Sequence, residues 1–162
     1  MLPDCEGLLL MRAELPHPKF NHFLYREVGR NWFWTERLIW TDDQWKEKVC
    51  REGFETWVLY VQGSPAGYFE LEQQDEQVVE IVYFGLLPDF VGRGLGGYML
   101  SEAIIRAWGL RARRVWVHTC TLDSPAALPN YQARGFRIFD ERKSSLHIPD
   151  HTLNIDLNAH NG

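Results

Sequence analysis

The order of strand and helix patterns along this 162-residue chain predicts an α+β fold: strands in a meander, one strand-helix-strand crossover, then a helix and an antiparallel finish. Two further observations fit that class. The length suits a single domain over residues 1–162, and 45% hydrophobic residues can fill a sizeable core. Helix-period and strand-period stretches also do not repeat in the strict alternation of a doubly wound α/β chain.

Taken in order, Gly7 to Arg12 is a short strand, after which Pro16 and Pro18 break the chain and Phe20 to Val28 form a helix. Thr41-Asp42-Asp43-Gln44 is a capping-box pattern, so a second helix runs from there to about Cys50. Thr56 to Val61 and Ala66 to Glu72 are strands around the hairpin signal Gln62-Gly63-Ser64-Pro65, and another turn follows at Gln74-Asp75-Glu76. Gln77 to Leu87 is β-branched and aromatic enough for a long strand ended by Pro88. In the next helix, Gly94 to Trp108, Leu95, Met99, Ala103 and Ala107 recur every fourth residue, with Gly109 as its stop. Arg114 to Thr119 is a strand, Pro125 to Arg134 a short helix ended by Gly135, and Phe136 to Asp140 and Thr152 to Leu157 are closing strands.

Charge and cysteine content narrow the function classes. A net charge of -5 and a pI near 5.7 argue against a general nucleic-acid binder, which needs a basic face to neutralise phosphates. The small cluster Arg111, Arg113, Arg114 fits a solvated helix end. Cys5, Cys50 and Cys120 have no paired spacing, and the N-terminus lacks a basic-then-apolar leader, so a cytoplasmic setting is expected. No apolar run approaches the roughly 20 residues that span a bilayer, so no membrane role is expected.

The run Val91-Gly92-Arg93-Gly94-Leu95-Gly96-Gly97 sits between the long strand and the amphipathic helix. Glycines let a ligand approach the backbone, and the first N–H groups of the helix, with its dipole, favour an anion there. A tight strand-to-helix turn alone could also require them. Gly92-x-Gly94-x-x-Gly97 matches the dinucleotide fingerprint in form, but that motif needs an acid about 20 residues on, and Ala112 to Thr119 holds neither Asp nor Glu. The nucleotide-hydrolase loop fails too, because no Lys-Ser or Lys-Thr pair follows the glycines.

The segment Leu86-Leu87-Pro88-Asp89-Phe90-Val91-Gly92-Arg93-Gly94-Leu95-Gly96 resembles the strand end, turn and pyrophosphate loop of the GNAT superfamily of N-acetyltransferases. Asn130-Tyr131-Gln132-Ala133-Arg134-Gly135-Phe136 resembles its second signature, a helix bearing a Tyr and ending in Gly-Phe. The resemblance covers Val79 to Phe139; residues 1–55 match it only in outline. It implies a mixed, mostly antiparallel central sheet flanked by helices, whose crossover carries the pyrophosphate loop. Two positions depart from the pattern: Val91 stands where the family has Gln or Arg, and Ser124, beside Asp123, where it often has Asn.

That resemblance implies acetyl-CoA as the acyl donor and a primary amine as acceptor, on a small molecule or a protein. Phe84, Gly85, Leu86 and Leu87, the loop Val91 to Gly97, Ser124 and Asn130 are then the expected cofactor contacts. An alkylammonium, with a pKa near 10.4, must lose a proton before it attacks a thioester. Glu80 is the candidate base, because Val79-Glu80-Ile81-Val82-Tyr83-Phe84 resembles the strand that carries a glutamate base in the histone-acetylating branch. Glu70 and Glu72 share one face of the preceding strand and are alternatives, although alternation makes them solvent-facing. Tyr131 is the candidate general acid for the departing thiolate, or else packs under the Gly135-Phe136 turn. A backbone N–H within Gly85 to Leu87 is the expected oxyanion donor, with a bulge at Gly85 parting that strand from Val115 to Thr119.

No metal site is expected: the histidines are scattered, and His147 and His151 are separated by Pro149. His118 is expected to be structural, and neither Cys120 nor Ser124 lies in a nucleophile elbow. Asn31-Trp32-Phe33-Trp34 with Trp40 and Trp45 is unusually aromatic and suits either a core or the faces that receive a cation. A non-catalytic acyl-CoA sensor on the same fold and a dinucleotide-dependent oxidoreductase are the competing functions. A homodimer is left open.

Overall fold

A computed structural model of the chain describes residues 6–120, 123–148 and 153–161. It divides into two compact units, Met1–Val115 and Trp116–Gly162. The first holds β1 (Leu8–Arg12), α1 (Pro18–Gly29), α2 (Asp42–Val49), β2 (Phe54–Val61), β3 (Ser64–Gln74), β4 (Val78–Leu86) and α3 (Leu95–Gly109). Strand β5 (Arg114–Cys120) leads into the second, which holds α4 (Ala127–Ala133), β6 (Asp140–Ile148) and β7 (Leu153–Asn161). Strands β4 and β5 flank α3 in chain order, as the predicted crossover requires.

In the first unit β1, β2, β3 and β4 pair antiparallel with their sequence neighbours. The β2–β3 turn is tighter than predicted. Gln62 and Gly63 take φ of 48° and 85°, the left-handed pair that matches strand twist in a two-residue hairpin, so Ser64 and Pro65 already belong to β3.

The two faces of this sheet follow from the alternation along β3. A Cβ on Gly67 would meet Met99 of α3, whereas Tyr68 packs with Leu24 and Val28 of α1. Gly67, Phe69 and Leu71 therefore face α3, while Tyr68, Glu70 and Glu72 face α1 and α2. Helix α1 begins on Pro18, whose missing N–H costs nothing at a first helical position. It buries Asn21, Leu24, Tyr25 and Val28. Both halves of the α2 capping box form: Gln44 N–H donates to the Thr41 hydroxyl at 3.2 Å, and Thr41 N–H to the Gln44 side chain at 2.8 Å.

Helix α3 buries the predicted stripe of Leu95, Met99, Ala103 and Ala107, together with Leu100. Its stop differs from expectation. Gly109 is the last helical residue, and the left-handed turn falls on Arg111 at φ 61°, where N–H groups of Leu110 and Arg111 close onto Ala107 and Trp108. In the second unit, Gly135 ends α4 as predicted. It has φ 96°, and Phe136 N–H reaches back to the Tyr131 carbonyl.

The closing strands are longer and start later than predicted. Residues 136–139 are not a strand, because their rings pack instead: Phe136 sits edge-on to Tyr131 and Phe139 edge-on to Trp116. The ladder begins at Asp140, paired with Asn161, and runs to Ile148, paired with Leu153; β7 also pairs antiparallel with β5. Thr152, the predicted start of the last strand, and His151 lie outside the described residues. No helix among the described residues is long and apolar enough to cross a membrane.

Candidate active site

The glycine loop leaves β4 through a single 3₁₀ turn, Pro88–Phe90. Gly92 and Gly94 then take φ of 86° and 76°, and Gly94 immediately precedes the first helical residue of α3. A Cβ at either position would meet nothing within 4 Å. These glycines answer a backbone requirement, and the loop surface remains open to a ligand. No side chain caps the helix, so its positive dipole end is turned to whatever the loop holds. Val91 is 52% exposed, and the Arg93 guanidinium lies 5.2 Å from the centre of the Phe90 ring. Leu95 is buried, a Cβ on Gly96 would stand 3.8 Å from the Leu86 side chain, and the Gly97 carbonyl accepts from Ser101.

Strand β4 carries a register irregularity that controls which side chains reach which face. Leu71 pairs with Ile81 and Phe69 with Phe84, so the single residue Glu70 lies opposite both Val82 and Tyr83. Regular alternation would separate Glu80 from Tyr83 and Gly85. The bulge instead puts all three on the face toward α1 and α2. Glu80 stands opposite Glu72, Tyr83 packs with Tyr25 and Trp34, and a Cβ on Gly85 would meet Val28 at 2.5 Å. On the β3 side the bulge is therefore at Val82–Tyr83, and Gly85 pairs in register with Tyr68. Its lack of a side chain serves the close approach of α1.

The same ladder orders the backbone donors. Leu87 N–H donates to the Ala66 carbonyl at 2.8 Å and is committed to β3. Donors alternate along an antiparallel strand, so Leu86 N–H, opposite Gly67, points away from β3.

Glu80 is half-buried and its carboxylate accepts from the Gln74 amide at 2.8 Å. Glu70 and Glu72 correct the expectation of solvent-facing acids. Glu70 is fully buried, 2.8 Å from the Arg37 guanidinium and 3.0 Å from the Asn21 amide. Glu72 is buried against Lys48 and Arg51. Helices α1 and α2 cover their face of the sheet, and each acid is compensated by cations from those helices and their flanks.

The aromatic stretch surrounds a cation supplied by the chain itself. The Arg37 guanidinium lies 4.5 to 5.9 Å from the ring centres of Tyr25, Trp40, Trp45 and Tyr83. Burial is the largest influence and works against its charge, but the Glu70 carboxylate, its hydrogen bond and the Tyr68 and Tyr83 phenols together outweigh that and hold the guanidinium above its ordinary value. Around this group, burial raises the Tyr25, Tyr68 and Tyr83 phenols, so all three stay protonated. The Tyr83 hydroxyl donates to Glu36 at 3.2 Å.

In the second unit Tyr131 is buried on α4, and burial, then the nearby Asp123 carboxylate, push its phenol well above the ordinary range. It lines a small cleft with Val117, Thr119, Leu128, Phe136 and Ile138. Ser124 starts the turn into α4: its hydroxyl accepts from Ala126 N–H at 3.3 Å and its carbonyl from Ala127 N–H at 2.8 Å. Asn130 accepts from Arg134 one turn on, and Asp123 accepts from Thr119 at 2.7 Å. His118 is exposed, and the described residues contain no group of three metal-capable side chains.

Sequence reasoning missed Asn21, Glu36, Arg37, Tyr68 and Tyr83. Asn21 carried a signal, because it falls on the buried period of α1 with Leu24, Tyr25 and Val28. Arg37 and Glu36 lie in the irregular connection between α1 and α2, where no periodicity marks a buried charge.

Curated proteins give no match to this chain. Solved structures resemble it over nearly its whole length at low identity. An acetyltransferase from Elizabethkingia anophelis with acetyl-CoA bound has a TM-score of 0.67 at 19% identity, covering 96% of this chain and 97% of that one. An acetyltransferase from Bacillus subtilis in complex with CoA has 0.69 at 20%, covering 95% and 97%. The ribosomal-protein-S18-alanine N-acetyltransferase from Escherichia coli has 0.71 at 14%, covering 95% and 92%. These likenesses establish the fold, and the sequence itself matches the model of the acetyltransferase (GNAT) family over residues 21–136, from within α1 through the Gly135-Phe136 turn. The chain belongs to the GNAT acetyltransferase family.

Proposed function

We propose that this chain transfers the acetyl group of acetyl-CoA to a primary amine by direct attack, without a covalent enzyme intermediate. The observation that carries this is the left-handed pair Gly92 and Gly94 opening α3, inside a family match that spans both signatures. Similar structures bind acetyl-CoA or CoA. In this reading the backbone from Val91 to Gly97 holds the pyrophosphate, with Arg93 beside it, and Val91 contributes only its backbone. Phe84 to Leu87 line the pantetheine path, and Ser124 and Asn130 are the further CoA contacts that this reading assigns. The acceptor is a small molecule or a protein, in a monomer or a homodimer, in the cytoplasm.

The amine nitrogen attacks the thioester carbonyl, forming the C–N bond, while Glu80 takes the ammonium proton directly or through water. Negative charge grows on the carbonyl oxygen, and Leu86 N–H, turned away from β3, is the donor that stabilises it. Collapse breaks the C–S bond, the thiolate takes its proton from Tyr131, and the second proton that the nitrogen loses on becoming an amide returns through water to the Tyr131 phenolate. Burial keeps that phenol protonated and available as a donor.

Two measurements test this. Acetyl-CoA should raise the melting temperature of the folded protein, while NAD and NADP should not, because only a ligand of the native state stabilises it by mass action. Gly94→Glu, which puts a side chain and a negative charge into the loop, should fold and lose the acetyl-CoA shift. A retained shift refutes the loop assignment. Amine-dependent release of free thiol separates an enzyme from a sensor that only binds.

A further inference from the structure

We infer that Glu36 is a specificity-determining residue of the transfer proposed above: it is the counter-ion for a second positive charge on the acceptor, which makes long α,ω-diamines the preferred class over monoamines. The inference rests on that proposed activity.

The rings that could have received an acceptor's cation are already occupied. Four of them enclose Arg37, whose side chain is only 3% exposed and is paired with Glu70. An ammonium from outside would have to expel a buried, compensated guanidinium. The next residue back, Glu36, is placed differently. It is exposed, and among the described residues its carboxylate meets no cation. It is also held in place, because the Tyr83 hydroxyl donates to it at 3.2 Å from a ring clamped by Trp34 and Tyr25 at 4.6 and 5.0 Å. Arg37, immediately beside it in sequence, anchors the connection to β3.

The bulge in β4 connects this carboxylate to the proposed base. Since it puts Tyr83 on the Glu80 face, Glu36 is tethered over the same strand face, at a residue about 7 Å along β4 from Glu80, because Val82 and Tyr83 share one of the two steps of about 3.3 Å. A saturated chain extending about 1.2 Å per bond, as an extended backbone does, covers that in roughly six bonds, within the reach of 1,6-diaminohexane. An acceptor of this length places one amine at Glu80 while the other, still protonated, meets Glu36.

The test compares 1,6-diaminohexane with hexylamine, which share the chain and differ in the second ammonium, using thiol release at saturating acetyl-CoA. The parent should show a lower KM for the diamine. Glu36→Gln, a change of one exposed residue that should fold as the parent does, should shrink the hexylamine-to-diamine KM ratio about fivefold, the value of one exposed ion pair. Tyr83→Phe keeps the charge but frees it, and should shrink the ratio by a smaller factor. Raising the salt concentration should weaken the parent's preference and leave that of Glu36→Gln as it is. An equal ratio in parent and Glu36→Gln overturns the inference. Should neither amine be acetylated, the proposed activity falls on its own, and calorimetric binding of 1,6-diaminohexane to the CoA-loaded protein decides the point. Weaker binding by Glu36→Gln upholds the role of Glu36, and equal binding or none overturns it.

Discussion

Replacing Arg37 by Met tests whether the buried ion pair organises the α1 and α2 side of the sheet. The Arg37 and Glu70 side chains are 3% and 0% exposed and 2.8 Å apart. Removing one partner of such a pair leaves the other buried without compensation, which costs about 3–5 kcal/mol. Asn21 still donates to Glu70 at 3.0 Å, but one neutral hydrogen bond does not replace a counter-ion. For a chain of this size, about 2–4 °C is lost per kcal/mol, so the melting temperature should fall by roughly 6–20 °C. The second variant, Arg37→Met with Glu70→Gln, removes both charges of this pair and keeps an oxygen for Asn21. It should therefore be more stable than Arg37→Met alone. Urea unfolding of the parent, both single variants and the double variant gives the coupling energy directly. An Arg37→Met cost under about 1 kcal/mol, or a double variant as unstable as the two single costs added together, would refute the argument.

Three further outcomes follow from the same geometry. Gly85→Ala should cost about 1–3 kcal/mol by overpacking, since its Cβ would sit 2.5 Å from Val28 Cγ1, and Val28→Ala in the same chain should recover part of that in a denaturation cycle; strict additivity would contradict the contact. Glu80→Gln should lower the acetylation rate most below the acceptor's own pKa and recover part of it as pH rises, because a free amine needs no base; a pH–rate profile identical to the parent's removes Glu80 from the mechanism. Tyr131→Phe should keep acetyl-CoA affinity and lose roughly 100-fold in turnover, and the parent should show no alkaline loss from this phenol near its ordinary value of about 10, because burial and Asp123 raise it; a joint fall in affinity and rate would assign the residue to packing.

Much of the fold was legible because local signals and tertiary packing agree. The Thr41–Gln44 box, the Leu95–Ala107 stripe and the Gly135 stop are each satisfied within one element or its own turn, so nothing distant can override them. The failures lie where a decision belongs to contacts remote in sequence. Phe136 to Asp140 looked like a strand, yet Phe136 and Phe139 are held by rings on α4 and β5, and the ladder waits until Asp140. Gly109 looked like the helix stop by residue type, but the helix continued one residue further and closed through Arg111.

The candidate site divides along the same line. Its glycine loop was legible because its conformational demand is local: φ of 86° and 76° at Gly92 and Gly94 is written into the residue type. The acids were misjudged because alternation gives a face without saying what covers it. Glu70 and Glu72 do share a face, but α1 and α2 lie over it, and the cations that make this tolerable come from Arg37, Lys48 and Arg51, far along the chain. A one-residue bulge also defeats any count of alternation in β4, since it moves Tyr83 and Gly85 to the face of Glu80. The aromatic stretch left two alternatives open, a core or a receptor for a cation, and the rings turn out to be both. Trp40, Trp45, Tyr25 and Tyr83 are core residues that enclose a guanidinium, and that guanidinium is the chain's own. With these faces filled from within, the proposed recognition of an external cation falls to a carboxylate that the Tyr83 hydroxyl holds at the solvent edge of the cluster. A composition count, which registers the rings and the charges separately, carries no trace of that division of labour.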